Sequence, residues 1–104
     1  MISTVTVGSA TSSQWIPVDY TQTPFNLGIQ VVTSGTHTWK VEMTMDNPLD
    51  ASVTPTAVTA PSPLETGSAT EQGGITIPCR AVRLTVTPYT NGSSIMTVVQ
   101  GRKG

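Results

Sequence analysis

FNLGIQVVTSGTHTWKVEMTMD, residues 25–46, decides the fold. Phe25, Leu27, Ile29 and Val31 take every second position, with Asn26, Gly28 and Gln30 between them. After Thr33-Ser34-Gly35-Thr36-His37 the alternation resumes, with Trp39, Val41, Met43 and Met45 set against Thr38, Lys40, Glu42 and Thr44. A period of two sends successive side chains to opposite faces of a strand. Two such runs joined by a short Gly-containing turn predict a β-hairpin, apolar row inward and polar row outward, as in the antiparallel sheets of a sandwich. A slip of one residue would turn the apolar row to water, so the choice of face is tightly specified.

The flanking segments carry the same signal in shorter pieces. Residues 3–7 alternate around Val5 and Val7, and residues 14–18 form a second run that Pro17 confines to an edge or a strand end. Ile75 and Ile77 start a further strand that Pro78 closes, Val82, Leu84 and Val86 alternate with Arg83, Thr85 and Thr87, and residues 95–100 form the last strand. Asn91-Gly92 marks the turn before it, because both residues tolerate positive φ. No window holds an i, i+3, i+4, i+7 apolar stripe, so helices are not expected. Seven or eight short strands predict one all-β domain over residues 1–104: an antiparallel β-sandwich, immunoglobulin-like or a small jelly roll, the former being simpler for this length.

Residues 46–74 break the pattern. Pro48, Pro55, Pro61 and Pro63 lie among Ser, Thr and Ala, and only residues 53–58 could pair, at an edge. The stretch is long for a loop in a compact domain, which predicts an arm or large surface loop that orders against a neighbour.

Composition narrows the function. Charged residues are 11% of the 104-residue chain and the formal net charge is −1, which gives no field to steer nucleic acid or an anionic membrane. A charge-poor surface fits a hydroxyl-rich exterior, and it also fits one covered by partner chains, since interface cores are depleted in charge. The opening Met-Ile-Ser-Thr-Val lacks the basic and apolar regions of a signal peptide, and no run reaches the length of a membrane span, so synthesis and assembly in a cytoplasm are expected.

Reactive constellations are hard to assemble from these residues. His37, the one histidine, falls in the expected turn and reads as an exposed turn residue; a Ser34–His37 pair would still need an orienting acid and an oxyanion hole. Cys79 is alone, which excludes an internal disulfide and a multi-cysteine metal site, and it reads as a small buried filler beside Arg80. Asp46, Asn47 and Asp50 offer oxygens, but not at EF-hand spacing, and Pro48 interrupts them. Asn91-Gly92-Ser93 matches a glycosylation acceptor, yet without a secretory route it means only a turn. No catalytic residue, metal site or cofactor is expected. Among the aromatics, Phe25 and Trp39 follow the core period, whereas Trp15, Tyr20 and Tyr89 lie near strand ends and suit an interface anchor or a sugar-stacking platform.

A set of short motifs recurs in a familiar order. Gln14-Trp15-Ile16-Pro17-Val18-Asp19 is followed by Pro24-Phe25-Asn26-Leu27-Gly28, Ser34-Gly35 and Trp39-Lys40-Val41-Glu42-Met43-Thr44. Asp46-Asn47-Pro48, Pro78-Cys79-Arg80-Ala81-Val82-Arg83-Leu84 and Val98-Val99-Gln100 complete it. The chain thereby resembles the small β-sandwich virion proteins of tailed bacteriophages, of the capsid-decorating or otherwise head-associated type, over residues 14–100 apart from most of the Pro-rich segment. The resemblance implies a virion structural protein that cements the major capsid protein lattice and brings no catalytic residues. It would act as a homo-oligomer, a trimer being one such state, through many weak contacts that add in avidity. Trp15, Tyr20, Tyr89, Pro55, Pro61 and Pro63 would be its anchors, and Arg102 and Lys103 its electrostatic helpers. A neck, tail or fibre component and a carbohydrate-binding module are the alternatives.

Overall fold

The computed structural model describes residues 2–21 and 24–100. Its named strands are β1 (Ile2–Val7), β2 (Ile16–Pro17), β3 (Leu27–Ser34), β4 (His37–Thr44), β5 (Val58–Thr59), β6 (Glu71–Ile75), β7 (Ala81–Tyr89) and β8 (Ser93–Val99). They form two four-stranded antiparallel sheets, ordered β1-β8-β3-β6 and β2-β7-β4-β5. The β-sandwich expected from the alternation is the architecture of the molecule.

The pairings β1–β8, β2–β7, β3–β6 and β4–β5 are nested. They describe one long hairpin whose successive rungs fall in alternate sheets, closed by the added ladders β3–β8 and β4–β7. A hairpin rolled up in this way is an eight-stranded jelly roll. The immunoglobulin-like arrangement, simpler on length, therefore gives way to the second option.

The expected hairpin between residues 25–31 and 39–45 does not exist as such. Its two arms lie in different sheets, and the turn at Ser34-Gly35-Thr36 carries the chain across the sandwich. Alternation fixes which face of a strand is buried, not which strand is its neighbour, and an arch satisfies it as well as a hairpin does. In the arch the two apolar rows face each other: Leu27, Ile29 and Val31 from one side, Trp39, Val41 and Met43 from the other, all buried. Met45, assigned to that row, lies past the end of β4 and is 55% exposed. Glu42 and Thr44, expected outside, are buried too. Lys40, Arg83 and Thr85 close over the Glu42 carboxylate, and the chain folds back so that Asp46 N–H donates to Thr44 Oγ1.

The Pro-rich segment is only partly a loop. Ala60 N–H donates to Val41 O, Val41 N–H to Leu64 O, and Trp39 and Gly67 exchange both backbone bonds. Residues 60–67 thus continue the edge of β4 past β5, and Leu64 is 0% exposed in the core. Gly67 makes this possible, since a Cβ there would stand 2.4 Å from the Trp39 ring. Residues 71–75 then form β6, so the strand expected at 75–77 lies earlier and Ile77 is exposed. The arm expected over 46–74 shrinks to the outward loop before β5, where Met45, Leu49 and Val53 are exposed.

Candidate functional site

The first sheet has one face on the core and one on solvent, and register builds the solvent face row by row. Thr6, Ile95 and Val32 form one row. Thr4, Thr97, Gln30 and Gln72 form the next, and Ile2, Val99, Gly28 and Gly74 the third. No residue in these rows is charged. Thr4 Oγ1 and Thr97 Oγ1 lie 3.3 Å apart, so hydroxyls and amides run across the sheet as a polar stripe between two apolar ones. At Gly28, which has no side chain, there is a shallow depression of about 460 Å³, with Gln30, Gln72, Gly73, Thr97 and Val99 on its walls. Ile2, Val32, Ile95 and Val99 are exposed around it. Chemically, the face can accept and donate neutral hydrogen bonds and bury apolar area; it offers nothing that would act as acid, base or nucleophile.

The opposite outer face, on β4 and β7, is charged but internally satisfied. Glu42 Oε1 accepts from Arg83 Nε at 2.9 Å and from the Thr85 hydroxyl at 2.5 Å, with Lys40 Nζ 3.7 Å from Oε2. Burial pushes the Glu42 pKa up, but the hydrogen bonds from Thr85 and Arg83 and the charges of Arg83 and Lys40 outweigh it and hold the carboxyl below its ordinary value.

The aromatic anchors expected from the sequence do not form one platform. Arg83 stacks over the Trp15 ring at 4.5 Å, and Arg80 over the exposed Tyr20 ring at 5.0 Å. Tyr89 sits at the far end of β7, roughly 26 Å along the strand from Ala81, and its hydroxyl donates to Gly92 O. Pro55 and Pro61 are half-buried and Pro63 is exposed, all in the chain around β5. Arg102 and Lys103 lie outside the described residues. A sugar-stacking platform needs a free aromatic face, and on Trp15 and Tyr20 one face already carries a guanidinium.

Three further residues carry the chemistry weighed in the sequence. His37 is a correction: it is 4% exposed, not an exposed turn residue. Its Nδ1 lies 2.9 Å from Asn91 O and its Nε2 2.6 Å from Ser94 Oγ. A Ser–His pair therefore exists, but with Ser94, which is buried, and with a backbone carbonyl in place of an orienting acid. Cys79 is buried as expected, and burial pushes its thiol up to about 11. The oxygens of Asp46, Asn47 and Asp50 accept from the loop's own Thr56, Leu49 and Ser52. Among the described residues no group of three His, Cys, Asp or Glu could hold a metal ion, and no helix is long and apolar enough to cross a membrane.

Sequence reasoning missed the uncharged face because its residues come from four strands. The neutral outward positions at 4, 28 and 30 were legible one at a time; their adjacency to each other and to 95 and 97 was not. No protein-family model matches the chain and no curated protein matches it.

Proposed function

We propose that the protein is a bacteriophage virion structural protein, a capsid decoration protein that binds the major capsid protein lattice as a homo-oligomer. The observation that carries this reading is the charge-free outer face of the first sheet. Surfaces destined for the centre of an interface are depleted in charge, and this one combines neutral polar groups with exposed Ile and Val. The outward loop with Met45, Leu49 and Val53 adds a second apolar contact at the other sheet. Each contact is modest, and a lattice multiplies modest contacts through avidity.

Quantitative mass spectrometry of purified virions tests the role. Capsid decoration predicts copies in the hundreds. A handful of copies would move the protein to the neck, tail or a fibre, and its absence from the particle would overturn the reading.

A further inference from the structure

The two sheets have four edges, and three of them are blunted. β2 is two residues long and contains Pro17. β5 is two residues long, and beyond it residues 60–67 bond to β4 in its place. β6 carries Gly73 and Gly74, with Pro63 and Leu64 packed against Gly73. β1 differs on every count: Ile2-Ser3-Thr4-Val5-Thr6-Val7 has no charge, no proline and no glycine. Its register with β8 runs without a bulge, and among the described residues β8 is its only partner strand. Proteins shorten, charge, kink or cover edge strands, because an open edge is a template for another chain.

We propose that β1 is a self-association edge, pairing antiparallel with β1 of a second copy to join two first sheets into one of eight strands. The strand is its own complement about a two-fold axis through Thr4. Thr4 then faces its counterpart, Ser3 faces the second copy's Val5, and Ile2 faces its Thr6. Outward residues meet outward residues, so both copies keep their cores on the same side of the joined sheet. No like charges come into opposition, which is what usually forbids such pairing. The polar stripe Gln72-Gln30-Thr97-Thr4 continues unbroken across the axis. Two apolar residues gain cover: Ile2, 75% exposed, and Val5, which points inward yet is only partly buried at the open side of the sandwich.

Five paired residues span about 17 Å, and such a contact is small beside the roughly 1,600 Å² of a standard stable interface. The dimer is therefore weak and concentration-dependent. It rests on this edge and not on the virion role, and it makes a two-fold pair the first unit of self-association.

Sedimentation equilibrium over a concentration series tests it with three proteins. The wild type dimerises at the high end of the series. Thr4→Lys, an exposed position where the pairing sets lysine against lysine, is monomeric throughout with an unchanged circular dichroism spectrum. Thr97→Lys, on the same face one strand inward, still dimerises. Hydrogen exchange adds the reading for a variant that folds poorly: in the wild type the β1 amides gain protection with concentration. A monomeric wild type overturns the proposal, and so does a dimer that survives Thr4→Lys or is lost equally in both variants, because either places the contact elsewhere.

Discussion

His37 Nε2, at the start of β4 in one sheet, lies 2.6 Å from Ser94 Oγ in β8 of the other. Nδ1 faces the Asn91 carbonyl, which can only accept, so Nδ1 carries a proton, and in the neutral ring Nε2 receives the Ser94 hydroxyl. Two of the chain's crossings between the sheets, at Ser34-Gly35-Thr36 and Thr90-Asn91-Gly92, are thereby tied through one buried imidazole. Ser94→Ala leaves a buried ring nitrogen unpaired, a loss of about 1–3 kcal/mol, and His37→Ala adds a cavity to it. Urea unfolding measures both, and ¹⁵N spectra of the ring should show the proton on Nδ1. A change within about 0.5 kcal/mol, the range of ordinary surface substitutions, would remove His37 from the support of the arches.

The crossings also press their backbones together. Gly35 and Gly92 take positive φ, 87° and 85°, and a Cβ on Gly92 would fall 1.9 Å from Ser34 O. Gly92→Ala should cost about 3 kcal/mol or more through strain and the forced separation of the two turns. Gly8→Ala, whose added Cβ finds nothing nearer than 3.8 Å, is the control and should shift the melting temperature little.

How much of this was legible follows from what periodicity reports. The inward rows of β3 and β7, and Trp39, Val41 and Met43 of β4, were plain in the sequence, because each side chain's face is a local property. Strand partners are not local: the pairing of Leu27 with Ile75 and of Gln30 with Thr97 depends on the chain leaving the first sheet and crossing back to it. His37 looked like an exposed turn residue for the same reason, its partners lying at 91 and 94. Leu64, isolated among prolines with no alternation around it, gave no signal of its burial.

Leu64 makes the second half of the Pro-rich segment part of the fold. Leu64→Ala should cost about 2–5 kcal/mol, as for other fully buried leucines, and deleting residues 52–72 should unfold the domain. Replacing only residues 48–56 with a short Asn-Gly turn should leave the melting temperature within a few degrees. Calorimetry of the three variants separates a built-in segment from a detachable arm.

Glu42 contributes to stability towards acid. Its folded pKa lies below the ordinary 4.5 because the bonds and charges of Thr85, Arg83 and Lys40 outweigh burial. A depressed carboxylate pKa adds stability that is complete above the unfolded value and disappears as pH falls through the folded one. Glu42→Gln should therefore flatten the stability profile below about pH 5, while still lowering stability at neutral pH. An acid limb unchanged by the substitution would show that other carboxylates govern it.

The uncharged face of the first sheet is the centre of the functional account, and cosedimentation with capsids lacking the protein tests it most directly. Wild-type protein should pellet with the particles, and Gln30→Lys and Thr97→Lys, each folded but carrying a charge in the middle of the face, should remain in the supernatant. Both lysine variants binding as tightly as wild type would contradict it.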